Sequence, residues 1–327
     1  MQISVIVPCF KRIGQTVKSF DLVFKSKGIN TEFGLELIAA DSTPTNELYL
    51  ALKNEFGEKI IYTRPQKPGI AANKNQGAKI AKGEVLIFCD SDIEVEENTL
   101  ISTISAFKKH EKAAAIGGQV IWRGGSKGGS RDRPREEDRM LNIEGTTFIE
   151  ALYSRYFATY KKVFLDVGGY DEKVFNMRGE GSDLSIRFWR AGYPLVYEET
   201  IIVHHVHDVP DSAALRTGRP EFGIAKDLLL LGYKYDILDE KYKNFMNTVV
   251  ANFKQFGDGG YFRIIEGIGN HLDFIAKIKA IIDREKKQMK PVYDFKFLEV
   301  FSQKELFEAC INKASKKLEN IRKSIFI

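Results

Sequence analysis

Cysteine is scarce in this chain of 327 residues: Cys9, Cys89 and Cys310 are the only three, and they lie far apart. Such spacing provides neither a disulfide framework nor the CxxC pairs of a zinc or redox centre. Long hydrophobic runs are missing too. Stretches such as Leu228-Leu229-Leu230-Leu231 fall far short of the ~20 residues that span a bilayer. Met1-Gln2 leads straight into Ile3-Ser4-Val5-Ile6-Val7, with no basic stretch and apolar region of a targeting signal. An excess of one charge is also lacking. Lysine and arginine number 49 against 44 acidic residues, a net +5 that is too dilute for a dedicated nucleic-acid binder. No internal repeat is found. With 43% hydrophobic and 28% charged residues, the expectation is a soluble, cytoplasmic protein with one sizeable core and no nucleic-acid partner.

What is present is alternation. Ile3–Val7, Leu35–Ala40, Lys59–Tyr62, Val85–Cys89, Ala114–Ile121 and Leu195–Val203 read as strands, several of them nearly continuous in apolar residues and so buried on both faces. Helical patterns fall between them at Gly14–Ser26, Glu47–Glu55, Gly69–Ala81 and Asn98–His110. This order predicts an α/β fold, a mostly parallel sheet sandwiched by helices, up to about residue 207. Arg123–Arg139, with four glycines and almost no apolar residue, reads as a long mobile loop. Val206–Pro220 reads as the exit into a helical C-terminal region, 208–327. There Ser302-Gln303-Lys304-Glu305 fits a capping box, and positions 306, 307, 310, 311, 314, 318, 321 and 325 form one apolar stripe.

Ligands of such folds gather at the carboxyl ends of the strands, and the residues there carry the chemistry. Val85–Cys89 runs into Asp90-Ser91-Asp92. Two carboxylates two apart suit Mg²⁺ or Mn²⁺ carrying a phosphate; the plainer reading is that they cap and turn the chain. The second strand delivers Asp41, placed to accept from a base N–H, and the first delivers Phe10, Lys11 and Arg12. Glu180 and Asp183 stand three apart at a helix start, where the macrodipole favours their charged forms. A carboxylate there suits a general base or an ordinary cap. Three of five histidines cluster in His204-His205-Val206-His207, pointing to a metal or phosphate contact.

In this order the pieces resemble the family 2 glycosyltransferases with the GT-A nucleotide-sugar-binding fold. The resemblance rests on Val5-Ile6-Val7-Pro8, Asp41, Gly69–Gly77, Gly83-Glu84, Asp90-Ser91-Asp92, Gly168-Gly169-Tyr170-Asp171-Glu172, Glu180–Arg187 and the histidines, and covers about the first 207 residues. It implies that Pro8, Phe10 and Arg12 surround the nucleotide, that Asp41 reads the base and that Lys74 lies near base and phosphates. It places Asp90 at the ribose and metal, and Asp92 and His205 as metal or diphosphate ligands, with His204 and His207 as alternatives. Gly168 and Gly169 would let donor sugar and acceptor approach the backbone.

The chain departs from the family pattern in three places. Ser42 stands where a second Asp is frequent, and Asn73-Lys74-Asn75 replaces Ala-Arg-Asn. The Glu-Asp pair reads Glu180-Gly181, so the acid that usually deprotonates the acceptor is missing at its position. Glu180 takes that role first and Asp183 second; otherwise the base comes from elsewhere or the transfer is retaining. The implied activity is metal-dependent transfer of a hexosyl or N-acetylhexosaminyl group, with inversion, from a UDP-sugar to a carbohydrate or glycolipid acceptor. A nucleotidyltransferase and a degenerate, non-catalytic nucleotide-sugar- or glycan-binding domain are the rivals. The loop 123–139 is expected to close over the donor. The C-terminal region is expected to contact acceptor, a second copy in a homodimer, or the cytoplasmic face of a membrane through its basic amphipathic end.

Overall fold

The computed structural model describes residues 1–123, 131–132, 140–176, 179–206, 230–232, 234–235 and 304–326. Its first half follows the alternation read from sequence. Strands β1 (Gln2–Cys9), β2 (Gly34–Asp41), β3 (Ile60–Thr63) and β4 (Val85–Cys89) alternate with helices α1 (Ile13–Phe24), α2 (Glu47–Phe56) and α3 (Ile70–Ile80). Every residue of Ile3–Cys9 and of β4 is buried, as expected of parallel strands covered on both faces. The strand order β3-β2-β1-β4 is parallel throughout, with Cys9 beside Asp41 in register.

The second half of the sheet is mixed. After β5 (Ile93–Val95) and α4 (Thr99–Lys109) come β6 (Ala115–Arg123), β7 (Arg131–Asp132), β8 (Met140–Ile143), β9 (Thr146–Ile149) and β10 (Tyr156–Tyr160). Helices α5 (Lys161–Asp166) and α6 (Glu180–Arg190) then precede β11 (Leu195–Val206). Strand β10 enters antiparallel between β4 and β6, and β11 pairs parallel with β6. The carboxyl ends of β1, β2, β4, β6 and β11 therefore share one edge. β10 has no place in the alternation expected from sequence. It is wholly buried but follows no helix, so no change of hydrophobic period announces it.

Two expectations change here. Arg131–Asp132 of the supposed loop pair antiparallel with Val120 and Ile121 of β6, while residues 124–130 and 133–139 lie outside the described residues, and with them any closing motion. The C-terminal stripe belongs to helix α7 (Lys304–Phe326), in which Ile311, Leu318 and Ile321 are buried in the common core. Arg322 donates from Nη1 to the Phe107 carbonyl, and Phe326 meets the Tyr160 ring. The apolar face offered to a membrane is thus spent on packing at these positions. Among the described residues no helix is long and apolar enough to cross a membrane. Ser302 and Gln303 of the capping box and the expected boundary at 207–208 fall outside the described residues, while Lys304 and Glu305 open α7.

Because Leu318 is completely buried, Leu318→Ala should lower the unfolding free energy by ~2–5 kcal/mol. Denaturant titration followed by tryptophan fluorescence reads this; no measurable loss would mean that α7 does not pack on the sheet domain.

Candidate active site

The turn after β4 aims two acids in different directions. The Asp90 N–H donates to the Arg155 carbonyl (2.8 Å), and the Ile93 N–H donates to the Asp90 carbonyl (2.9 Å). This pins a tight reversal between β4 and β5. From it Asp92 faces the ends of β1 and β11. Its Oδ2 accepts from Arg12 and lies 3.3 Å from His205 Nε2. Burial alone would raise the Asp92 pKa, but His205 and Arg12 hold it down at about 2. Lys11 and Arg12 both adopt left-handed backbone, φ 54° and 45°, a cost rarely met outside glycine. That turn brings Arg12 to Asp92.

Asp90 faces the other way. Its Oδ1 is 3.1 Å from Nζ of Lys74, a lysine with no exposed side-chain surface. The same ammonium donates to the Ser154 carbonyl (2.8 Å) and stands 3.9 Å from Glu180. Burial pushes the Asp90 and Glu180 carboxyls up, Lys74 opposes the shift in both, and Glu180 is pushed up further by Asp90. Two acids share this one cation.

Of the histidines, His205 is the one that joins Asp92; its ring meets Trp122 edge-on at 4.4 Å, and the Arg155 guanidinium lies over Trp122 at 4.8 Å. His204, one step along the strand, turns to Glu96 (2.8 Å). His207 lies outside the described residues. Among the described residues no three of His, Cys, Asp and Glu converge into a metal-holding group. Asp92 and His205 supply one oxygen and one nitrogen. That donor set fits a hard divalent ion that completes its shell with phosphate and water, as Mg²⁺ habitually does. Asp90, expected beside Asp92 at a metal, is drawn off by Lys74 instead.

At the end of β2, Asp41 is fully buried and holds the Thr43 N–H (2.7 Å) and the Tyr62 hydroxyl (2.5 Å), with Arg64 at 3.7 Å. Ser42 donates to Asn73, which ties back to the Cys9 carbonyl. Pro8 is buried in β1 opposite Ala40, and Phe10 is half-buried in the turn beyond. The nucleotide-facing set from sequence is therefore gathered along the ends of β1, β2 and β4.

The glycine pair answers to the fold. Gly168 and Gly169 end α5 in left-handed conformation, φ 83° and 65°, and a Cβ on Gly169 would stand 2.7 Å from Asn75 Oδ1. The turn and the Asn75 contacts account for them without a substrate. Gly181 also has a steric reason: a Cβ there would come 2.7 Å from Ser154 Cβ. The carboxylate missing at 181 has no room in this backbone.

Asp183, the second candidate base, has both oxygens engaged. Oδ2 takes Arg187 Nε and Nη2 (2.9 and 2.7 Å), and Oδ1 takes Lys234 (2.7 Å) and Tyr235 (2.6 Å). Although burial favours the neutral acid, the Arg187 and Lys234 cations hold its pKa below the usual range. Glu180, the first residue of α6, is the remaining acid of the pair. Sequence reasoning missed Ser154, Arg155, Trp122, Tyr62, Lys234 and Tyr235. None sits in a recognisable motif, and Lys234 meets Asp183 across 51 positions.

A family profile described as glycosyl transferase family 2 matches residues 4–168. N-acetylgalactosaminyltransferase 4 of Drosophila melanogaster is 27% identical over 170 residues, 46% of this chain and 26% of that protein. The chain thus spans about a quarter of that relative's length. Two solved structures share the fold. One is a mannosyltransferase from Pyrobaculum calidifontis in complex with GDP-Man and Mn²⁺, with TM-score 0.52, 13% identity, and coverage of 97% of this chain and 86% of that one. The other is GalNAc-T7 with UDP, GalNAc and Mn²⁺, with TM-score 0.56, 16% identity, and coverage of 83% and 57%. The sheet flanked by helices is thereby the GT-A architecture.

Overpacking against Ser154 should make Gly181→Ala destabilising by ~1–3 kcal/mol, reduced by up to ~1 kcal/mol of helix propensity. Adding Ser154→Gly should return most of the loss. Thermal denaturation of the single and double variants checks the pair; equal losses with and without Ser154 would exclude the contact.

Proposed function

The chain belongs to glycosyl transferase family 2, and on that premise we propose that it moves a sugar from a nucleotide diphosphate to a hydroxyl group. The observation that carries the reading is the meeting of Arg12, Asp92 and His205, with Lys74 and Asp90 beside them, at the carboxyl edge of the sheet. Arg12 and Lys74 bring positive charge to where a diphosphate would lie, and Asp41, at the end of β2, would meet a base N–H by exchanging its contact with the Tyr62 hydroxyl. We take the donor to be a UDP-sugar. UDP is the nucleotide of the structure with the higher of the two TM-scores, GalNAc-T7, whereas the mannosyltransferase carries GDP-Man. The acceptor is a carbohydrate or glycolipid, and the transferred group a hexose or N-acetylhexosamine. Residues 1–207 make up the transfer domain in this reading, and 208–327 are the helical remainder.

Asp92 and His205 would hold Mn²⁺ or Mg²⁺, which when bound neutralises charge on the departing diphosphate. Arg12 would share Asp92 with it and contact phosphate oxygens. Glu180 would take the acceptor proton, giving inversion. Its buried setting, like that of Asp90, raises its proton affinity. Asp183, saturated with donors, would hold the helix in place.

Asp92→Ala should abolish turnover and remove the Mn²⁺-dependent part of the thermal shift given by UDP. GDP giving the larger shift in the parent protein would reassign the base. Glu180→Gln should cut kcat by ~10²–10⁴-fold with little change in donor affinity by calorimetry. A base must be deprotonated to act, and Glu180 has a raised pKa, so activity should fall as pH drops through a value above the ordinary glutamate range. Lys74 lowers that pKa, so Lys74→Met should move the acid limb to higher pH; a limb unmoved in the pH–rate profile would detach Glu180 from the reaction. The anomeric coupling of the product by NMR should show inversion. Retention would remove Glu180 from the role of base.

A further inference from the structure

The first turn of α6 is held by a buried ion cluster that reaches well beyond the family match at residues 4–168. Lys234 has 4% exposed side-chain surface and bonds two carboxylates at once, Asp171 Oδ2 at 2.6 Å and Asp183 Oδ1 at 2.7 Å. Tyr235, also buried, adds its hydroxyl to the same Asp183 oxygen at 2.6 Å. On the other side Arg187 clamps Asp183 Oδ2 and donates from Nη1 to the carbonyls of Val167 (2.7 Å) and Gly169 (2.5 Å). The cluster is neutral, two carboxylates against one guanidinium and one ammonium. It ties three pieces of chain together: the turn at Gly168–Asp171, the start of α6, and the segment at 230–235.

Glu180 lies one helical turn before Asp183, and the Asp183 N–H donates to the Gly179 carbonyl (2.9 Å). Fixing Asp183 therefore fixes where Glu180 begins the helix and how it meets Lys74 and Asp90. Arg187 alone would hold Asp183 from one side, within its own helix. The second side comes from Lys234 and Tyr235, and Asp171 in turn orients Lys234. A buried charge pair is poor evidence for stability as such, since burying both charges costs about what their attraction returns. A cluster of this kind is better suited to hold one geometry.

We propose that Lys234, with Tyr235, is a positioning residue for the transfer reaction, acting through Asp183 to place Glu180 against the acceptor hydroxyl. The C-terminal part of the chain thereby completes a site whose reacting groups all lie before residue 207. This rests on the reading of Glu180 as the base.

The test is a double-mutant cycle on the full chain between Lys234→Met and Glu180→Gln, with kcat and donor affinity measured separately. Lys234→Met should lower kcat by about ten- to a hundredfold, the scale of a displaced catalytic group, while the calorimetric donor Kd is unchanged. In the Glu180→Gln background the same substitution should have no further effect, because the group it positions is already disabled. Equal losses of kcat in both backgrounds, or a loss of donor affinity matching the loss of rate, would overturn the proposal. If Glu180→Gln itself keeps parental turnover, the assignment of the base has failed, and that result is distinct from an additive cycle. Tyr235→Phe removes one hydroxyl without stranding a charge. Should Lys234→Met not fold, it carries the same cycle with the same criteria, expected to be weaker in size but equally absent in the Glu180→Gln background.

Discussion

Acids buried at the edge of a sheet must find cations, and the layout of this protein's site follows from how few there are. An unpaired carboxylate in such surroundings would be neutral or would not be tolerated. Asp92 has two partners, Arg12 and His205, and Asp183 has two, Arg187 and Lys234; both carboxyls are held below their ordinary pKa. Asp90 and Glu180 share the ammonium of Lys74, Asp90 also feels the Arg155 guanidinium, and burial pushes both up. All four acids are buried or partly buried, and what differs is how closely each is met by donors: Asp92 and Asp183 each hold two partners of their own, whereas Asp90 and Glu180 meet at Lys74.

That inequality separates roles. Asp92, held by Arg12 and His205, and Asp183, held by Arg187 and Lys234, favour the ionised form and act as fixed negative charge where those partners meet them. Asp90 and Glu180, which meet at Lys74, hold protons more readily. Lys74 reaches both because it is fully buried on α3 between the end of β4 and the start of α6, with the Ser154 carbonyl as its third ligand. Its neighbour Ser154 also fills the space beside Gly181. The absence of an acid at 181 and the presence of a buried lysine at 74 are thus two aspects of the same packing.

The sheet supplies the geometry within which these pairs form. Parallel β1, β2 and β4 bring Arg12, Asp41 and Asp90 to one edge. Antiparallel β10 carries Ser154 and Arg155 in at its start, and β11, parallel with β6, returns His205 to Asp92. Inserting one reversed strand is what lets residues 154–155 lie beside residues 90–92. Farther along, the 230–235 segment and α7 close over the same body from outside the alternating part.

The alternation of apolar strands and helices determined the parallel half of the fold, because continuous burial on two faces writes itself into runs of β-branched residues. It also singled out Asp41, Asp90, Asp92, Glu180 and His205, which the fold carries at strand ends and at the start of a helix. It was silent on β10, which no helix precedes and which runs straight into the short helix α5. Spacing put His205 first, with His204 and His207 as alternatives; strand geometry turns His204 to Glu96 and His205 to Asp92. It offered Gly168 and Gly169 as openings for substrate, where the backbone turn and Asn75 demand them. Above all it left Asp183 as a second base. Only the tertiary structure brings Lys234 and Tyr235 onto that carboxylate, because a buried ion pair is made between residues far apart in sequence and depends on which charges the fold removes from water together. Local pattern carries the directions in which acids point; the number of cations each one meets is a property of the packed chain.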